Sequence, residues 1–276
     1  MKTLQLIFIL FILLGFSPIQ SQIVDDILGD ESKFYAETKQ VNQFFRRFNN
    51  EEAPDGVRYY KRDKEYRNPK TRDKYLDILF DSKNSAISPA IRRDFKADVL
   101  KPDSNIYLNF HANGWFAEVK TRFSYKGKDS FVTFFLELEQ ENLGYKWVIT
   151  NVYFAPYSDI LVDKKADNSK FLHPLSHEID FMNLIKVFND QKYIDNYTIK
   201  SFQPDFLTLF LYEFKQGFFV FKYVEDLKFH FFQVPGWYFE VEQFVRPEYN
   251  SGWLISKLTK ISPTEKAILL KYIYHN

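Results

Sequence analysis

The chain of 276 residues is 45% hydrophobic and 19% aromatic, and it carries 37 basic and 36 acidic side chains. It contains no cysteine, which excludes disulfides, thiolate metal sites, a cysteine nucleophile and a lipid anchor on an N-terminal cysteine. The formal net charge of +1 provides no global field toward nucleic acid or an anionic membrane, so we predict no nucleic-acid partner.

Residues 1–21 have the order of a secretory signal peptide. Lys2 precedes an unbroken apolar run from Leu6 to Phe16, and the small residue Ser21 ends the segment. The run is too short to span a bilayer, which needs about 20 apolar residues, and no later window is both long and free of charge. We therefore expect export to the periplasm or the cell exterior and no transmembrane segment in the mature chain.

The first periodic element after the signal is helical. Val41, Phe44, Phe45 and Phe48 fall at i, i+3, i+4 and i+7, which predicts an amphipathic helix that stops at residues 49–50.

The chain changes to strand periodicity at Trp115. Trp115, Ala117, Val119 and Phe123 alternate with a second set of residues, as expected for a half-buried strand. The second set is Phe116, Glu118, Lys120 and Arg122. The segments "KGKD" and "ENLGYK" then read as turns, so the region predicts an antiparallel meander.

Several segments recur in the same order, which predicts an internal duplication. The pairs are 40–50 with 180–190, 75–80 with 206–211, Gly114-Trp115 with Gly236-Trp237, and 144–152 with 251–259. We predict a first domain at 22–157, a linker at 158–177 and a second domain at 178–276 that lacks one hairpin. Helices followed by a curved antiparallel sheet make each domain α+β.

This order of elements resembles the NTF2-like (cystatin-like cone) family over roughly residues 32–155 and, less completely, 177–262. The resemblance implies a bent sheet that wraps a helix and leaves a pocket at its open end. The composition, rich in lysine, asparagine and phenylalanine, and the Ser-Gln exit of the signal also resemble exported proteins of Bacteroidota. The alternative fold is a lipocalin-like or other small barrel, which the initial helices disfavour.

Three ionisable residues are weak catalytic candidates if they face such a pocket. His111 could serve as a general base oriented by a carboxylate. Glu118 and Glu240 each lie four residues after a repeated glycine, and burial in a cavity would raise the pKa of either carboxyl. If these two carboxylates face water, they are only the polar half of an alternating strand.

Two further groups of residues are candidates for binding rather than catalysis. Trp115 and Trp237 are predicted as core residues or as walls of a ligand pocket. Segment 57–74 holds eight Lys or Arg against three acidic residues, interleaved with three tyrosines. It is either a solvated loop or a contact site for an acidic envelope component or a protein partner, with Arg58, Lys61, Arg62, Lys64 and Arg67 as donors.

His173, His177 and Glu178 superficially suggest a metal site. Pro174 breaks any helix that would bring the two histidines onto one face, so we predict no metal and no cofactor.

The sequence as a whole predicts a noncatalytic exported binding or interaction module of the bacterial cell envelope. One alternative is a pocket-based hydrolase or isomerase that uses His111 or a strand carboxylate. Another is a structural scaffold in a secreted assembly, which an exposed apolar patch on the outer face of the sheet would favour.

Overall fold

The structure, a computed structural model, describes residues 41–161 except 54, 103 and 143, residues 184–189, 194 and 197–199, and residues 205–275 except 247–249. The predicted signal peptide and most of the predicted linker lie outside these residues. The helices are α1 (Val41–Asn49), α2 (Pro69–Ile78), α3 (Pro89–Val99), α4 (Ala155–Leu161), α5 (Leu184–Asn189), α6 (Phe206–Lys215) and α7 (Pro263–Tyr274). The strands are β1 (Trp115–Tyr125), β2 (Lys128–Glu141), β3 (Gly144–Tyr153), β4 (Phe219–Phe231), β5 (Trp237–Phe244) and β6 (Gly252–Lys260). No helix in these ranges has the length and apolar character needed to cross a membrane.

The strands form one open sheet in the order β3-β2-β1-β4-β5-β6, so the α+β class is confirmed. The predicted meander is present, because β1 pairs antiparallel with β2 and β2 with β3. The first hairpin closes at the Tyr125–Lys128 pair through Lys126 and Gly127, whose φ angles are 49° and 82°. Positive φ at both central residues gives the turn a twist that matches the right-handed twist of the strands.

The prediction of two consecutive domains is not confirmed. The chain divides into two compact units that interleave along the sequence, unit 1 with Met1–Gly114 and Phe231–Lys260, and unit 2 with Trp115–His230 and Ile261–Asn276. The predicted equivalence of Trp115 and Trp237 is wrong. Trp115 begins β1, the first of the strands β1 to β3, whereas Trp237 begins β5, the second of the strands β4 to β6.

The core of unit 1 is aromatic and joins α1 and α3 to β5. Phe48 stacks on Phe239 with ring centroids 6.3 Å apart, and Phe95 meets Trp237 edge-on at 5.3 Å. Trp237 is 1% exposed, and its indole Nε1 donates to Asp98 Oδ2 over 2.9 Å. Trp237 is thus a core residue, and the predicted stripe of α1 is buried at Phe44, Phe45 and Phe48.

The core of unit 2 lies between the meander and α6. Phe210 of α6 packs on Phe123 and Phe134, with centroids 6.1 and 5.1 Å apart. Trp115 is buried against Trp147 at a centroid distance of 5.4 Å, so it too is a core residue. The predicted apolar face of β1 is buried at Trp115, Ala117 and Phe123, but Phe116 of the opposite face is buried as well, so the predicted alternation is present only in part.

Arg72 of α2 is a buried cation that joins separate segments of unit 1. Its Nε donates to Phe48 O over 2.8 Å, and its Nη2 donates to Ile106 O. The guanidinium also lies over the Tyr107 ring, with Cζ 4.5 Å from the centroid. Burial lowers the pKa of Arg72 to about 10, so the group stays charged at neutral pH.

Replacing Arg72 with Met should destabilise unit 1. The substitution leaves the carbonyls of Phe48 and Ile106 buried without their donor, and hydrogen bonds from charged groups contribute about 1.5–3 kcal/mol each. We expect the free energy of unfolding to fall by about 3 kcal/mol, measured by urea denaturation followed by tryptophan fluorescence. The control is Lys74→Met on an exposed position of the same helix, which should change stability by less than about 0.5 kcal/mol. Equal unfolding midpoints for the two variants would contradict this role.

Candidate ligand-binding cleft

A cleft of about 630 Å³ opens in unit 1 and brings two of the predicted site residues, Arg67 and His111, to the same place. Its lining combines charged, amide and aromatic side chains. The lining residues are Asn42, Phe45, Arg46, Asn49, Glu51, Arg67, Tyr107, Leu108, Asn109, Phe110 and His111.

One wall of the cleft is a face of α1. Asn42, Phe45, Arg46 and Asn49 recur at i, i+3, i+4 and i+7, so they share one side of the helix. This side overlaps the predicted apolar stripe only at Phe45. The helix therefore uses adjacent faces for two purposes, one for the core and one for the cleft.

The opposite wall is the segment 107–111, which side-chain amides hold in place. Asn49 Nδ2 donates to Leu108 O over 2.8 Å, and Leu108 N donates back to Asn49 Oδ1 over 2.9 Å. Gln233 makes the same reciprocal pair with Asn109, at 2.8 and 2.9 Å. Because each amide satisfies both backbone groups of one residue, the wall has a defined backbone position.

Arg67 reaches the cleft from the basic segment and is oriented by Glu51. The distances from Arg67 Nε and Nη2 to Glu51 Oε1 are 2.7 and 2.5 Å. Its guanidinium lies over the Tyr107 ring, with Cζ 4.1 Å from the centroid. Arg67 has a φ of 54°, a conformation that costs a non-glycine residue roughly 1–2 kcal/mol. The ion pair and the ring contact offset this cost at the position where the side chain enters the cleft.

The lining of the cleft holds more guanidinium groups than carboxylates. Two guanidinium groups, Arg46 and Arg67, face one carboxylate, Glu51. Glu52, which does not line the cleft, forms an ion pair with Arg46, and the distance from Arg46 Nε to Glu52 Oε2 is 2.6 Å. Phe45, Tyr107 and Phe110 add apolar ring surface beside these charges.

Glu118 lies in unit 2 and pairs with a histidine that sequence reasoning missed. Its Oε2 is 2.8 Å from His230 Nε2, and its Oε1 is 3.4 Å from Lys228 Nζ. His230 is 1% exposed and stacks on Phe116 at a centroid distance of 4.8 Å. Burial raises the pKa of Glu118, but the His230 hydrogen bond and the Lys228 charge outweigh it, so the pKa lies below the ordinary value. Unlike Glu118, His230 lies at no fixed distance from a repeated glycine, and it occupies an ordinary position in the alternating pattern of β4. No local signal in the sequence therefore separates it from other strand residues.

Glu240 is also buried and engaged. It accepts hydrogen bonds from Tyr238 Oη and from Lys257 Nζ, the latter over 3.0 Å. His111, Glu118 and Glu240 therefore occupy three different environments, and only His111 lines the cleft.

The basic segment 57–74 does not act as one surface. Arg58, Lys61, Arg62 and Lys64 are exposed, as expected for a contact site or a solvated loop. Arg67 faces the cleft, and Arg72 is buried within the fold.

Comparison with protein-family models, with curated proteins and with solved structures found no match for this chain. The NTF2-like resemblance therefore stays a prediction.

His173, His177 and Glu178 lie outside the described residues, and within the described ranges no group of three or more His, Asp or Glu could hold a metal ion.

Glu118→Gln should reduce stability in a pH-dependent way. A carboxyl with a lowered pKa in the folded state stabilises the fold above its ordinary value of 4.5 and loses that contribution as the pH falls. We expect the urea midpoint of the variant to lie below that of the wild type at pH 7, with the gap narrowing as the pH falls below 4.5 and through the lowered pKa of the folded state. Glu139→Gln, an exposed position on β2, is the control and should show no gap. A gap that does not change with pH would refute the ion-pair interpretation.

Proposed function

We propose that this protein is a noncatalytic binding module whose ligand is a small organic anion held in the cleft. The observation that carries the proposal is the position of Arg67, whose guanidinium enters a cleft of about 630 Å³ beside aromatic rings.

The size and lining of the cleft suit a small molecule. Pockets for such ligands typically measure about 300–1,000 Å³ and combine apolar walls with a few polar groups that fix orientation. Phe45 and Phe110 form an edge-to-face pair at 5.2 Å and provide ring surface for the apolar part of a ligand.

Arg67 suits a carboxylate because its planar guanidinium has more N–H donors than Glu51 engages. The preferred ligand therefore combines a carboxylate with an apolar body.

The hydrolase or isomerase alternative has less support. His230 and Glu118 are the residue types of a general base and the carboxylate that orients it. At 1% exposure, however, His230 is closed to a substrate. The other strand carboxylate, Glu240, is held by Tyr238 and Lys257.

The scaffold alternative also has little support from the exposed apolar residues of β4. Val220, Phe221, Tyr223 and Val224 are all at least half exposed. Because successive strand residues point to opposite faces, these side chains divide between the two faces and do not form one patch.

The predicted signal peptide would place the cleft in the periplasm or at the cell exterior. Arg58, Lys61, Arg62 and Lys64 are exposed in the segment that leads to Arg67. Their charges would raise the local concentration of anions near the cleft. We therefore propose that the ligand belongs to an acidic component of the cell envelope.

We also propose that the fold arose by duplication with an exchange of helices. Within the residues that the structure describes, the order of two helices, three strands and one helix occurs twice, with α3 as an addition to the first half. Inside unit 1, α1 and α3 of the first half pack on β5 of the second. Inside unit 2, α6 of the second half packs on β1 and β2 of the first.

Arg67→Gln should weaken the binding of an aromatic carboxylate. Our probe is 2-naphthoate, titrated into the purified protein and followed by calorimetry and by the imidazole signal of His111. We expect the variant to raise the dissociation constant about 10-fold or more, because it removes a charged hydrogen-bonding partner.

Two controls separate this effect from general electrostatics. Arg62→Gln removes an equal charge from the same segment at an exposed position outside the lining, and should leave the affinity within about 2-fold of the wild type. The neutral 2-naphthamide should bind at least about 10-fold more weakly than the acid. Equal affinities for the acid and the amide, or for the two variants, would refute the proposed site.

A further inference from the structure

The cationic face is a surface of unit 2 formed by Lys120 and Arg122 of β1 with Phe131 and Thr133 of β2. Arg122 lies directly opposite Phe131 and Lys120 opposite Thr133 in the strand register, so the four side chains point to the same side of the hairpin. The neighbouring residue Phe123 points the other way, into the core under α6.

The two cations of this face contact an aromatic ring instead of a carboxylate. Arg122 Cζ lies 3.9 Å and Lys120 Nζ 4.3 Å from the centroid of the Phe131 ring, which is 39% exposed. Arg122 Nε is buried and has no hydrogen-bond partner. Within the described part of unit 2, neither cation forms an ion pair.

The carboxylates nearest in sequence on the same face are engaged by other cations. Asp129, two residues before Phe131, forms an ion pair with Lys222, and its pKa is lowered mainly by Lys222 and to a smaller extent by the charge of Arg122. Glu118, two residues before Lys120, is bound by Lys228 and His230. A phenyl ring attracts cations but does not neutralise them, so two like charges remain side by side. A bound anion would remove this repulsion.

We propose that Lys120, Arg122 and Thr133 form a binding site for a phosphate group. A phosphate monoester carries about −1.5 to −2 charges at neutral pH, which matches the two cations, whereas one carboxylate would leave a charge uncompensated. The planar fork of arginine engages phosphate oxygens through two donors, and Lys120 adds a point charge. The hydroxyl of Thr133, beside Lys120, provides a neutral donor.

The test is a titration of inorganic phosphate and of phenyl phosphate into the isotope-labelled purified protein, followed by the backbone amide signals of β1 and β2. Both probes should give saturable shifts there, which distinguishes recognition of the phosphate group from recognition of its carrier. Acetate should bind at least about 10-fold more weakly. Phenyl phosphate should bind more tightly as the pH rises through its second pKa, about 6, because the dianion forms.

The double variant Lys120→Gln/Arg122→Gln should lose about 10-fold or more of the phosphate affinity. Its matched control is Lys128→Gln/Lys215→Gln, which removes equal charge from exposed positions of the same unit and should bind phosphate as the wild type does. Arg122→Lys keeps the charge without the fork and should fall between the wild type and the double variant. Arg67→Gln should have no effect, which makes this site separable from the cleft.

The absence of saturable shifts, equal affinity for acetate and phosphate, or equal losses in the two double variants would each overturn the proposal.

Discussion

The buried charge of Arg72 is the constraint on which the cleft depends. A guanidinium removed from water must find hydrogen-bond acceptors, and this one finds them in Phe48 O, at the end of α1, and in Ile106 O. The carbonyl of Ile106 belongs to the segment that continues into the cleft wall. Because both acceptors must lie within reach of one side chain, α1 and the wall face each other at a set distance. Residues of both α1 and this wall line the cleft.

The remaining cations give this nearly neutral protein local positive charge at particular side chains. The net charge of +1 produces no long-range field. Arg67 is held by one carboxylate and one ring at the cleft, while Lys120 and Arg122 share a ring on a sheet face. At each place the cations lie over an aromatic ring. Arg67 is also paired with the carboxylate of Glu51, whereas Lys120 and Arg122 form no ion pair within the described part of unit 2.

Aromatic packing has to provide the stability that other proteins of this size obtain partly from disulfides. The chain contains 31 Phe and 18 Tyr and no cysteine. In unit 1 the phenylalanine side chains of α1 and α3 pack against β5. In unit 2 the phenylalanine side chain of α6 packs against β1 and β2. The burial of apolar surface in each unit therefore depends on residues that are distant in sequence.

The sequence alone determined the elements whose signals are local. The stripe of α1, the apolar face of β1 and the turn at Lys126 and Gly127 follow from neighbours within a few residues, and the structure has all three. The order of the strands, the partnership of Glu118 with His230 and the meeting of Arg67 with His111 were decided only by the tertiary structure. Glu118 and His230 are 112 residues apart, and either side chain fits an ordinary strand pattern. Periodicity specifies which face of an element is buried, but it does not specify which element covers that face. Those pairings depend on the packing of the whole chain.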